Sequence, residues 1–344
     1  MASIVLNNSK VLSDFGRPYI VAELNTSHFG SISTAKSMID EAKKAGCACV
    51  KFQSWSVESL YSQAYYDENP IAQRFVKKFS FTEENLKEVA EYCDAIGIDF
   101  SSTPYSKAEV NFLIEHCNVP YIKVASMDLN NTSFLDYIAG TGVPIVLSTG
   151  MGDMEEICRA VGTIEKAGNK NICILHCISI YPPEIKTLNL NNIVGLREAF
   201  PDYPIGYSDH SIGTEMSSAA VALGACLIEK HFTLNAAKIG MDNQMASEPE
   251  SMAQLVRNCY QVQIALGGTQ RVVNSAEIEQ RKEMRRSIVA TKNLAAGTEL
   301  KLEDLDVKRP GIGISASRLH DVVGKTILRD IDKDRMIIES DLAP

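Results

Sequence analysis

The 344-residue chain reads as a (β/α)8 TIM barrel followed by a small β-rich module. Three observations predict this. Eight short apolar runs alternate with amphipathic segments as far as residue 267. The runs are continuously apolar and rich in β-branched residues, as parallel strands buried on both faces are. No glycine-rich dinucleotide turn opens the helical segments, which disfavours the rival doubly wound open sheet.

The predicted strands are, in order, 18–24 (PYIVAEL), 47–53 (CACVKFQ), 98–102 (IDFSS), 121–126 (YIKVAS), 144–149 (PIVLST), 171–177 (NICILHC), 204–210 (PIGYSDH) and 226–232 (CLIEKHF). Between them lie helical patterns. In STAKSMIDEAKKAG, Ala35, Met38, Ile39 and Ala42 recur at helix spacing and Gly46 is a stop signal. TEENLKEVAEYC, EEICRAVGTIEKAG and TEMSSAAVALG repeat the pattern. Eight such units in about 250 residues fit the barrel. Residues 54–80 form an unusually long connection carrying Trp55, Tyr61, Tyr65, Tyr66, Phe75 and Phe79. Such a segment is either a lid or substrate wall, or a packing arm at a subunit interface. The predicted organisation is a barrel over 1–267, a polar linker over 268–285, and a β-rich module over 286–344 with turns at Gly297 and Gly311. At about 60 residues the module is too small for an extensive core, so it is expected to lean on the barrel or a partner chain.

Composition narrows the function. The chain is 45% hydrophobic and 22% charged, near the globular average. A net charge of −9 repels phosphate backbones, so no nucleic-acid partner is expected. No run approaches the ~20 apolar residues of a membrane span, and the N-terminus lacks a signal-peptide pattern. The nine cysteines are odd in number and contain no Cys-x-x-Cys pair, as in free thiols of a reducing compartment. A cytoplasmic location with no membrane partner is expected.

A barrel's active site is built at the C-terminal ends of its strands. Those ends carry Glu23; Lys51 and Gln53; Thr103; Lys123 and Ser126; Ser148 and Thr149; His176, Ser179 and Tyr181; Ser208, Asp209 and His210; Glu229 and His231. Every strand delivers a polar residue to one rim. His210 and His231 occupy equivalent places on neighbouring strands about 4.8 Å apart. Two imidazoles so placed suit one divalent cation, with Glu23 nearby and open positions for water or substrate. Lys51, Lys123, Thr103, Ser126, Ser148 and Ser208 suit a small dianion such as a phosphate ester. The alternative for the lysines is a salt-bridge network with Glu23 and Glu229.

At these residues the sequence resembles the N-acetylneuraminate (sialic acid, or nonulosonate) synthase family. The matching motifs are AELNTSHFG (22–30), VKFQ (50–53), FSSTPYS (100–106), YIKVAS (121–126), LSTGM (147–151), LHCISIYP (175–182), YSDHSIG (207–213) and IEKHF (228–232). RRSIVA (285–290), KRPGIG (308–313) and VGKT (323–326) resemble the attached antifreeze-like (SAF, β-clip) domain. The resemblance implies a synthase that condenses phosphoenolpyruvate with an N-acetylmannosamine-like amino hexose. Phosphate leaves by C–O cleavage. The metal ligands are then His210 and His231, holding Mn2+, with Mg2+ or Co2+ as the other ions. Thr103, Lys123, Ser126, Ser148 and Ser208 meet the phosphate, and Lys51 and Ser179 the carboxylate. Glu23, Gln53, Tyr181 and Asp242 face the sugar or the reacting centre, with Glu23 handling a proton. Arg309 reaches the other subunit's site in a domain-swapped homodimer.

Three departures bear on the sugar. The family usually has Asn before the histidine of its first loop, where Ser27 precedes His28 here. Position 179 is Ser in place of Asn, and Gly240-Met241-Asp242-Asn243 stands where Gly-Pro-Asp-His is usual. In the resemblance these positions line the sugar side, so an unusual or deoxygenated hexose is expected. The alternatives are a condensing synthase for a phosphorylated sugar, for which Lys186, Arg197 and Arg74 are the available loop cations, and a non-catalytic sugar-binding barrel.

Overall fold

The computed structural model describes all 344 residues, which divide into two compact units, Met1–Gly267 and Gly268–Pro344. In the first unit eight parallel strands form a TIM-like near-barrel. They are β1 (Tyr19–Glu23), β2 (Cys49–Gln53), β3 (Asp99–Thr103), β4 (Ile122–Val124), β5 (Ile145–Ser148), β6 (Ile172–Cys177), β7 (Ile205–Asp209) and β8 (Leu227–His231). Each falls inside one of the eight predicted runs or overlaps it. Hydrogen bonding runs in the order β3-β2-β1-β8-β7-β6-β5-β4, with β8 paired to β1 and only β3 and β4 left at the ends of the ladder.

Eight helices follow the strands: α1 (Ile32–Ala45), α2 (Glu83–Ile96), α3 (Lys107–His116), α4 (Thr132–Gly140), α5 (Met154–Lys166), α6 (Asn192–Ala199), α7 (Glu215–Ala222) and α8 (Pro249–Leu266). The Ser31 hydroxyl caps α1 by accepting from the Thr34 N–H, and Gly46 ends it at φ 92°, which a side chain would strain. Ala35, Met38, Ile39 and Ala42 are buried, as their spacing predicts, in the apolar layer between helices and outer barrel wall.

Residues 54–80 are mostly helical, in three short helices, Val57–Leu60, Gln63–Glu68 and Pro70–Phe79. Trp55, Tyr66 and Val76 form a small core of their own there, with Tyr105 packed against it.

An N-terminal hairpin, Ser3–Val5 with Val11–Ser13, was not foreseen in the sequence. Its Ile4 and Leu12, with Leu6, pack on the lower interior residues Tyr19, Val21, Cys49, Tyr121, Val146, Cys173 and Leu227. The hairpin therefore plugs the barrel end opposite the catalytic rim. Asp14 fastens it, accepting the Ile205 N–H at 3.0 Å and facing Arg197 at 3.3 Å.

The second unit contains α9 (Ser275–Met284), capped by the Asn274 side chain, so the polar segment over 268–285 includes a helix. Strands β9 (Ser287–Ala290) and β10 (Leu305–Lys308) pair antiparallel. Isolated bridges, such as Leu294 with Ile331 and Ile327 with Leu342, close the rest of the module. Eleven buried apolar side chains, among them Ile288, Leu300, Ile327 and Ile337, give it a core of its own. The core is small, as the length of the module predicts, and its residues are scattered over short bridges that have no periodic pattern to read.

Candidate active site

Successive residues of a strand face opposite sides. On β8 this sends Leu227, Glu229 and His231 inward and Ile228 and Lys230 outward; on β7 it sends Ser208 inward and Tyr207 and Asp209 outward. The inward residues at the strand C-termini line a cavity of about 250 Å³. Thirteen residues predicted from the sequence line it: Glu23, Lys51, Gln53, Thr103, Lys123, Ser126, Ser148, Ser179, Tyr181, Ser208, His210, His231 and Asp242. The fourteenth, Arg309, belongs to the second unit, exposed and next after β10.

The two lysines do different things. Lys51 is buried against Glu23, lies 3.6 Å from Glu229, and donates to the Thr103 hydroxyl at 3.1 Å. The salt-bridge alternative describes it. Lys123 instead donates to the Ser148 hydroxyl at 2.7 Å and the Val124 carbonyl at 2.9 Å. Around it stand Ser126 and Ser208. Ser126 Oγ accepts the Gly150 N–H at 3.1 Å. A side chain at Gly150 would intrude here, since its Cβ would lie 2.7 Å from Ser126 Oγ and closer still to Ser179 Oγ. The glycine of LSTGM thus keeps this corner open.

Two buried carboxylates share Lys51 but differ in charge. Burial pushes Glu23 up to about 7, against the opposing pull of Lys51, and the nearby Glu229 adds to the rise. Burial also acts on Glu229, but Lys51, Lys123 and the Ser208 hydroxyl, which donates to it at 2.9 Å, outweigh it and hold it at about 2. Glu23 is the acid that gains or loses a proton near neutrality. Its Oε1 accepts the Asn25 N–H at 2.7 Å, and the Gln53 amide stands 3.5 Å away.

His210 and His231 have ring centroids 5.3 Å apart, with the Tyr181 ring 4.2 Å from the first. Burial lowers both pKa values, so both rings are neutral. His210 Nδ1 pairs with the Ile178 carbonyl at 2.8 Å, which puts its proton there and leaves Nε2 unprotonated, 3.5 Å from Ser208 Oγ. His231 Nδ1 is 3.9 Å from Asp242. No group of three or more histidine, cysteine or carboxylate side chains is arranged to enclose a metal. The chain therefore offers two neutral imidazoles and leaves further positions to water or substrate, a donor set that fits an exchange-open cation site.

Comparison with known proteins decides the family. A model of the NeuB family matches residues 38–271, and one of the SAF domain residues 285–343. The chain belongs to the NeuB family. An N-acetylneuraminate-9-phosphate synthase of Mus musculus is 36% identical, covering 93% of this chain and 91% of that one. An N,N'-diacetyllegionaminic acid synthase of Campylobacter jejuni is 34% identical, with 93% and 98% covered. The crystal structure of an N-acetylneuraminic acid synthetase from Leptospira borgpetersenii superposes with a TM-score of 0.74 at 33% identity, covering 81% of this chain and 94% of that one.

Several strand-end residues read from the sequence as rim groups face away. His176 stacks on Tyr207 at 5.6 Å and pairs with the Leu188 carbonyl at 2.7 Å, outside the barrel. Thr149 donates to the Leu175 carbonyl, and Asp209 also lies behind the wall. Of the departing residues only Ser179 lines the cavity; the retained Asp242 lines it too, whereas Met241 and Asn243 do not. Ser27 and His28 do not: His28 stacks on Phe81 at 4.0 Å. Asn243 donates to the carbonyls of Asn235 and Lys238, holding its own loop.

Six further lining residues, Glu229, Cys177, Tyr105, Ala125, Met127 and Met151, were given no role at the reacting centre by the sequence reading. Glu229 was read as a strand-end rim residue and a salt-bridge partner for the lysines; it stands two before His231 and shares its face. Cys177 has the same strand-parity signal on β6. Tyr105 donates to the Gln53 carboxamide oxygen and packs on Trp55 at 5.6 Å, joining the helical excursion to the site. It lies within the FSSTPYS motif, two residues past the strand end, where the sequence reading assigns it no role.

Proposed function

We propose that the protein is a nonulosonic (sialic-type) acid synthase, joining phosphoenolpyruvate to an N-acetylmannosamine-like amino hexose with release of phosphate. The observation that carries the reading is the pairing, in one cavity, of two buried neutral histidines with a separate lysine–serine cluster. Lys123 with Ser126, Ser148 and Ser208 offers an ammonium and three hydroxyls to the phosphate, while Thr103 and Lys51 border it. Gln53, Tyr181 and Asp242 stand on the side left for the sugar, and Ser179, beside Ser126 at Gly150, is the hydroxyl that the resemblance assigns with Lys51 to the carboxylate. Glu23, poised near 7, can hold or release a proton at working pH. His210 and His231 would hold a divalent cation, which when bound supplies Lewis-acid polarisation of the sugar's aldehyde oxygen. Mn2+ is the expected ion, with Mg2+ or Co2+ able to serve.

The sugar is proposed to be unphosphorylated. Lys51 and Lys123 are the cations of the lining, and Lys51 already faces two carboxylates. Of the three loop cations considered for a second phosphate none lines the cavity: Arg197 is committed to Asp14 and lies over the Phe15 ring, Lys186 is exposed beside Glu184, and Arg74 is exposed. The family resemblance further implies a homodimer and a substrate-facing part for Arg309, and both belong to this proposal. All nine cysteines are free and eight of them buried, which suits a reducing compartment. No helix is long and apolar enough to cross a membrane.

The test is phosphate release from phosphoenolpyruvate with N-acetylmannosamine, 2,4-diacetamido-trideoxy hexoses and phosphorylated sugars, each with Mn2+ and with chelator. Chelator-sensitive release with a non-phosphorylated sugar, and a nine-carbon product by mass spectrometry, is expected. His210→Ala and His231→Ala should each lower turnover at least 10²-fold. Release only with a phosphorylated sugar would move the protein to the alternative synthase class. Phosphoenolpyruvate binding without release for any sugar would favour a binding protein.

A further inference from the structure

Behind the barrel wall lies a buried charged group that the proposed chemistry does not use. Asp209 and Lys230 are 0% and 1% exposed and point away from the cavity. They are ladder partners across β7 and β8, with Lys230 Nζ 3.0 Å from Asp209 Oδ2. Each stands one residue before a cavity histidine.

The pair is tied into the chain on both sides of His210. Asp209 Oδ1 accepts the Ser211 N–H at 2.8 Å, the Ser211 hydroxyl at 2.6 Å and the Tyr207 hydroxyl at 3.3 Å. Its Oδ2 accepts the Ser217 hydroxyl at 2.6 Å, from the first turn of α7. Lys230 Nζ also donates to the Ser211 carbonyl. Ser211 is thereby held at its N–H by one member of the pair and at its carbonyl by the other. His210 sits between two clamped residues, and the clamp is anchored on the strand that delivers His231.

Stability alone does not account for such a pair. Two charges buried together are generally no more stabilising than apolar side chains of the same volume, because desolvation offsets their attraction. What an ion pair adds is a directed, bond-length constraint. We propose that Asp209 and Lys230 are positioning residues that fix the spacing of His210 and His231 for a shared divalent cation. This rests on the cation reading given above.

Mn2+ binding to the full-length, metal-free protein, followed through the paramagnetic resonance signal of free Mn2+, tests it without turnover. Wild type is compared with His210→Ala, Lys230→Met, the double variant Asp209→Asn/Lys230→Met, Lys230→Arg and Ser217→Ala. The expected result is at least tenfold weaker Mn2+ binding in Lys230→Met and in the double variant, with partial recovery in Lys230→Arg. Phosphoenolpyruvate affinity, measured by calorimetry without metal, stays within about twofold in each, which a general loosening of the fold would not allow. The double variant leaves no unpaired buried charge and decides the matter if Lys230→Met does not fold. Ser217→Ala removes one hydroxyl alone and decides it if both fail, with about threefold weakening expected. If His210→Ala weakens Mn2+ binding while the folded pair variants bind as wild type does, positioning is overturned and the cation reading stands. If His210→Ala binds Mn2+ unchanged, the cation reading falls, and the positioning role with it.

Discussion

His28 shows how burial turns a polar residue into a pH sensor of the fold. Its ring stacks on Phe81, its Nδ1 accepts the Gly30 N–H at 3.1 Å, and burial lowers its pKa to about 4. The unfolded chain, with an ordinary pKa near 6.5, takes up a proton that the folded chain refuses. The contribution is therefore complete above pH 6.5 and is lost as pH falls toward 4. Between pH 7 and pH 5 this amounts to about 2 kcal/mol. His28→Leu should flatten that part of the stability profile, measured by urea unfolding at both pH values; equal slopes in the two proteins would show that His28 is not its source. The same burial acts on Glu23 and Glu229, where the difference between the acids comes from the lysines and hydroxyl beside them. None of these environments is visible in residue identity alone.

At the scale of elements, the strands were legible because two-sided burial leaves continuous apolar runs, and the helices because of their period and stop signals. The N-terminal hairpin was not, since its strands are three residues each and only Leu12, Ile4 and the neighbouring Leu6 turn inward. Leu12 is fully buried beneath the barrel floor. Leu12→Ala should cost about 2–5 kcal/mol by leaving a cavity there. Thermal unfolding measures the loss, and catalytic constants at a temperature where the variant stays folded should be little changed, because the plug lies at the far end from the site. A large fall in activity with unchanged stability would contradict the plug. The helical excursion over 54–80 escaped the reading for a related reason: its short helices bury few residues, and its aromatic side chains pack mainly on one another and on Tyr105.

At the scale of the whole molecule, each of the two compact units carries a hydrophobic core of its own. A fragment of residues 268–344 contains all eleven side chains of the second core and the capped helix α9. It should fold alone, giving a dispersed amide spectrum and a cooperative melt. A collapsed, non-cooperative fragment would mean that the module needs the barrel or a second chain, as its size first suggested.

The sequence by itself determined the barrel, the family and the thirteen barrel residues that converge on one cavity. Strand propensity, period and the rule that sites gather at strand C-termini are all local or topological, and a single chain carries them in full. The tertiary structure decided which of two adjacent polar residues looks inward, so that Glu229 stays at the site and His176, Thr149 and Asp209 leave it. It also decided that Lys51 serves the carboxylates and Lys123 the hydroxyl cluster, that Tyr105 holds Gln53, and that Asp209 and Lys230 pair behind the wall that carries the histidines. Those outcomes depend on contacts between residues tens of positions apart and on the dielectric around each charge, and neither exists until the strands have closed around a common centre.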